Sequence, residues 1–127
     1  PVAAASIAAW NDEAHVRANR AEYAAKFRAL QPRVAEVLPC TMPEAAFYLW
    51  AQTPIDDAQF AQRLLAEENV AVLPGSYVAR EAMGVNPGRH RVRLALVATQ
   101  AECAEAIDRV VAFTRRLTAE PATARAG

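Results

Sequence analysis

Residues 73–97, LPGSYVAREAMGVNPGRHRVRLALV, constrain the fold more than any other stretch. An irregular run of sixteen residues, 74–89, carries three of the chain's four glycines and leads straight into an alternating apolar segment. Loops of that length with no structure of their own are uncommon inside compact domains, where they are either disordered or functional. The segment that follows, 91–98, reads as a strand. Val92, Leu94 and Leu96 share one of its faces, and Arg91, Arg93, Ala95 and Val97 share the other. That second face turns apolar along the strand, which predicts burial on both sides at its far end. An arginine just before that point sits at a buried edge, where a guanidinium needs an anion.

A chain of 127 residues has room for one domain and one core. Apolar residues make up 54% of the chain, but alanine inflates the figure. The core must therefore come from a limited set of larger side chains. Fourteen basic residues balance fourteen acidic ones, which argues against nucleic acid or a membrane surface as partner. No apolar run approaches the roughly 18 residues needed to span a bilayer. No secretory leader pattern is visible, and Cys40 and Cys103 lack CxxC spacing, so two reduced thiols in a cytoplasmic protein are expected. His15 and His90 are the only histidines and form no metal-ligand spacing.

Periodicity and caps lay out the elements. Residues 1–10 resemble the end of a helix that starts upstream. Asn11 is placed to cap a second helix with the stripe Val16, Tyr23, Phe27 and Leu30, which Pro32 should kink or restart before Val34 and Val37 carry it on. Glu22 and Lys26 form a favourable i,i+4 pair on that helix, with nothing in the sequence around Lys26 to suggest desolvation. A short aromatic strand is expected at 45–50, and Asp56 with Gln59 has capping-box spacing for the next helix, which Asn69 should end in a left-handed conformation. A buried strand at 70–73 precedes the loop, and Thr99 with Glu102 opens a C-terminal helix ending near Thr118. The sum is an α+β fold: a small sheet of three or four strands, covered by helices on one face, with a long N-terminal helix. Residues 119–127 are expected to fray.

The chemistry in this sequence is sparse. The loop has no Walker lysine and no GxGxxG spacing, so it matches no nucleotide cradle. Gly75, Gly84 and Gly88 are expected to supply positive φ at turns, and Ser76 to serve as a turn hydroxyl. Asp56 and Asp57 read as a helix cap, and His15 as solvated. Arg91 and Arg93 leave two readings open: solvated charges at a strand start, or a guanidinium fork presented to a carboxylate.

VLPGSYVAREAMGVNPGRHRVRLALVATQAECAEAIDRV, AAWNDEAHVRANRAEYAAKF and PEAAFYLWAQTP together resemble the C-terminal end of class I/II, fold type I, pyridoxal-phosphate aminotransferases. The wording is most similar to succinyldiaminopimelate aminotransferases of lysine biosynthesis, and the likeness covers about residues 1–118. The resemblance implies that 1–127 is the small C-terminal domain of such an enzyme, with the large cofactor-binding domain absent. It also implies that Arg93 grips the substrate α-carboxylate, that Arg91 sits on the rim, and that Arg80 assists with a second carboxylate. Pyridoxal phosphate is the implied cofactor of the parent enzyme, a homodimer acting on amino-acid and keto-acid substrates. Its amino group would pass from glutamate to a keto acid such as N-succinyl-2-amino-6-oxoheptanedioate. Those enzymes use a Schiff-base lysine of the large domain. With Lys26 as its single lysine, the chain alone is expected to be inactive, to hold no catalytic residue and to bind neither cofactor nor metal. The alternative is a free-standing, non-catalytic α+β binding or dimerisation module.

Overall fold

The computed structural model describes residues 1–121. Eight elements follow in chain order: α1 (Val2–Asn11), α2 (Glu13–Ala35), β1 (Tyr48–Gln52), α3 (Asp57–Glu68), β2 (Leu73–Pro74), α4 (Gly75–Val78), β3 (Arg91–Ala95) and α5 (Gln100–Ala119). The fold is α+β, as its pattern of elements implies. β3 lies at the centre of a three-stranded antiparallel sheet, between β1 and β2.

Local chemistry sets the helix starts. The Asp56 carboxylate accepts from the amides of Ala58 and Gln59, and Asn69 closes α3 at φ 54°. Thr99 and Glu102 form a reciprocal capping box at α5. α2 departs from expectation at its start. Asp12, rather than Asn11, is its cap and accepts from the Ala14 amide, while Asn11 closes α1. Pro32 does not restart the helix, which runs unbroken to Ala35.

The sheet has two unlike faces. Leu49 and Ala51 of β1 stand opposite Leu94 and Val92 of β3, and all four are buried. They meet Leu30 and Val34 of α2, Phe60 and Leu64 of α3, and Ile107, Val110 and Phe113 of α5 in one core. The rings of Phe60 and Phe113 meet edge-on at 5.3 Å, the preferred geometry for an aromatic pair. Arg63 clamps the two helices at the surface, donating to both carboxylate oxygens of Glu120 at 2.8 and 2.9 Å. Residues 122–127 of the expected frayed tail lie outside the described residues.

The strands differ in extent from their sequence reading. β1 is shifted from 45–50 to 48–52, β2 from 70–73 to 73–74, and β3 stops at Ala95. Pairing with β3 decides these bounds, and pairing is a long-range property. The far end of β3 is not buried on both sides: Leu96 is covered, but Val97 is exposed. Of the three loop glycines, only Gly84 has positive φ. Gly75 and Gly88 serve a different purpose, since a Cβ on Gly75 would stand 2.4 Å from the Gly88 carbonyl oxygen. The two backbones touch there.

Candidate functional site

The face of the sheet turned away from the helices carries the candidate site. Tyr48, Trp50 and Gln52 of β1 alternate onto it, as do Arg91 and Arg93 of β3. Arg93 occupies its middle, with Trp50 opposite on one side and Leu73 of β2 on the other. The Arg93 guanidinium lies over the Tyr48 ring, 5.2 Å from its centroid, which fixes the group by a cation–π contact. The Arg93 Nε–H is buried without a hydrogen-bond acceptor. Buried polar groups are nearly always paired, so this orphaned guanidinium N–H stands out.

The loop is anchored at its two ends. Asp57, fully buried at the first turn of α3, accepts from the Ser76 hydroxyl at 2.6 Å, the Ser76 amide at 2.9 Å and the His90 amide at 3.1 Å. Burial pushes the Asp57 carboxyl up, but these donors outweigh it and hold the group below its ordinary value of 3.8. Asn86 tightens the loop further, donating to the Ser76 carbonyl and accepting from the Gly88 amide. At the loop tip, Ala82 and Val85 exchange backbone hydrogen bonds around Met83 and Gly84, both at positive φ. Met83 is fully exposed there.

Arg91 and Arg93 share the open face, as the alternation predicts. Arg80 is exposed on the loop. Two contributors escaped the sequence. Tyr48 is recognisable as the guanidinium's platform only once the register is known. Asp57 looked like half of a cap because its partners are 19 and 33 residues away.

Lys26 also differs from its sequence reading. It is buried, and its ammonium donates to the carbonyls of Ala98 at 2.6 Å and Leu96 at 3.2 Å while pairing with Glu22 at 3.1 Å. Three acceptors match its three donors, and the Tyr23 ring lies 5.1 Å away. Lys26 thus fastens α2 to the end of β3 and offers no free amine to an aldehyde. Both cysteines are free thiols, and burial pushes each above its ordinary value. The described residues contain no cluster of three or more His, Cys, Asp or Glu able to hold a metal ion. No described helix is long and apolar enough to cross a membrane.

Residues 1–110 match the family model for aminotransferase class I and II. The chain belongs to that family. A crystal structure of an aminotransferase from Neisseria meningitidis superposes with a TM-score of 0.81 at 43% identity, covering 87% of this chain and 28% of that one. A probable aminotransferase of Mycobacterium tuberculosis is 33% identical over 111 residues, 87% of this chain and 25% of the relative. A probable N-succinyldiaminopimelate aminotransferase from Thermus thermophilus superposes with a TM-score of 0.67 at 31% identity, covering 80% of this chain and 26% of that one. An aspartate aminotransferase of Thermotoga maritima and an LL-diaminopimelate aminotransferase of Nitratidesulfovibrio vulgaris match over 71 and 75 residues. This chain thus spans about a quarter of the length of the aminotransferases it resembles.

Proposed function

We propose that this chain is the substrate-carboxylate-binding small domain of a pyridoxal-phosphate-dependent transaminase, and that Arg93 is the carboxylate receptor. The observation that carries the reading is the buried, acceptor-less Nε–H of Arg93 on an aromatic-lined open face. A carboxylate can take Nε–H and a terminal N–H in two parallel, charge-assisted hydrogen bonds. It would replace the missing acceptor without any new charge being buried unpaired.

In the complete enzyme the cofactor would supply an electron sink for the reacting substrate. This chain's part is orientation. Gripping the α-carboxylate fixes the amine of the donor, or the carbonyl of the acceptor, at one distance and angle from the reacting centre. Both half-reactions present the same carboxylate, so one arginine serves both. The proposed reaction passes an amino group from glutamate to N-succinyl-2-amino-6-oxoheptanedioate. The Thermus thermophilus relative's name supports that acceptor. The aspartate and LL-diaminopimelate names share with it an amino-acid substrate bearing an α-carboxylate and a second acidic group. Arg80, exposed on the loop, is the proposed helper for that second carboxylate.

Steady-state kinetics of the full-length polypeptide carrying this segment test the reading. Arg93→Lys keeps the charge and loses the fork, and should cost about 2–5 kcal/mol in kcat/KM for donor and acceptor alike. Arg91→Lys, on the same face but nearer the strand start, should change kcat/KM by less than about 0.5 kcal/mol. The reverse order would transfer the carboxylate to Arg91, and two silent variants would remove it from this face.

A further inference from the structure

We propose that Asp57 is a positioning residue for Arg93, acting through the two ends of the loop that it ties together. This rests on the reading of Arg93 as the carboxylate receptor. One oxygen of the Asp57 carboxylate takes both the amide and the hydroxyl of Ser76, where the loop begins. Its other oxygen takes the amide of His90, where the loop ends. The carboxylate is fully buried, and these three donors are neutral. Hydrogen bonds to a charged acceptor are the strong ones, and a buried charge that loses them has no water to turn to.

Two routes lead from this knot to Arg93. The first runs along the chain. His90 is held at φ 56°, an unusual conformation for a non-glycine residue, directly before β3 begins. Its carbonyl accepts from the Thr53 amide just past β1, and its ring Nδ1 lies 3.1 Å from the Ile55 carbonyl oxygen. The backbone that delivers Arg91 and Arg93 to the open face is thereby fixed in direction as well as in place. The second route runs through packing. Gly75, next to Ser76, presses on the carbonyls of Gly88 and Arg91, and the edge of the Trp50 ring rests against it. Trp50 is Arg93's neighbour across the strands. Loosening the base of the loop therefore frees the wall beside the guanidinium. Helix capping, the role the sequence assigns to this position, needs only Asp56, which already accepts from the Ala58 and Gln59 amides.

A double-mutant cycle in the full-length polypeptide tests this. Asp57→Asn keeps the shape but sets an NH2 group or a weaker carbonyl against N–H and O–H donors. It should lower kcat/KM about tenfold, mainly by raising KM for amino and keto substrates together. On an Arg93→Lys background the further loss should shrink to about twofold or less, because Asp57 acts through that arginine. Should Asp57→Asn not fold, Ser76→Ala removes a single donor and should show the same coupling from a loss of about threefold. A full Asp57→Asn penalty on the Arg93→Lys background, or wild-type kinetics for Asp57→Asn, overturns the positioning role. Wild-type kinetics for Arg93→Lys alone overturns the carboxylate reading beneath it, an outcome the single variant distinguishes.

Discussion

At the scale of single residues, the decisive facts are three charged groups, Arg93, Lys26 and Asp57, whose partners lie far away in sequence. The face on which Arg93 stands was legible from the alternation in RVRLA, and so was its chemistry as a planar fork. Its orphaned Nε–H and its seat on Tyr48 were not, because both depend on cross-strand register. Lys26 shows the same limit more sharply. Its i,i+4 partner Glu22 was readable, whereas the Leu96 and Ala98 carbonyls lie 70 and 72 residues away. Lys26→Met should strand those two carbonyls and cost about 1–3 kcal/mol of stability, measured by urea unfolding at constant m-value. A change below about 0.5 kcal/mol would show that the ammonium is not fastening α2 to the end of β3.

At the scale of elements, helices were easier to place than strands. The caps of α3 and α5 are local chemistry, written within four residues, and Asp56, Asn69, Thr99 and Glu102 all behave as their types predict. The bounds of β1 and β2 depend instead on where β3 lies, so both strands start three residues later than their sequence placement. The loop was legible as a functional feature through its length, but not in its construction. Gly75 and Gly88 are there for backbone-to-backbone contact, which no local signal announces. Their roles predict unequal costs. Gly75→Ala drives a methyl into the Gly88 and Arg91 carbonyls and should destabilise by about 1–3 kcal/mol. Gly84→Ala meets open space and only the penalty of φ 74°, about 1 kcal/mol. Thermal unfolding of the two variants side by side reads the difference, and equal midpoints would contradict this account of the loop base.

At the scale of the whole molecule, one side of the sheet is a finished core and the other an open, aromatic-lined surface around an arginine. The N-terminal region is similarly uncovered: α1 buries none of its side chains, and Trp10 is 84% exposed. Apolar exposure of that kind marks an interaction surface more often than a finished one. Arg93 stands at the middle of the sheet's open surface. The central claim is that Arg93 receives a carboxylate, and equilibrium binding tests it most directly. The dissociation constants of a substrate amino acid and of its α-carboxamide should be measured on the full-length polypeptide, wild type and Arg93→Lys. The wild type should prefer the carboxylate by at least about tenfold, and Arg93→Lys should lose most of that preference. An undiminished preference in Arg93→Lys would contradict the account.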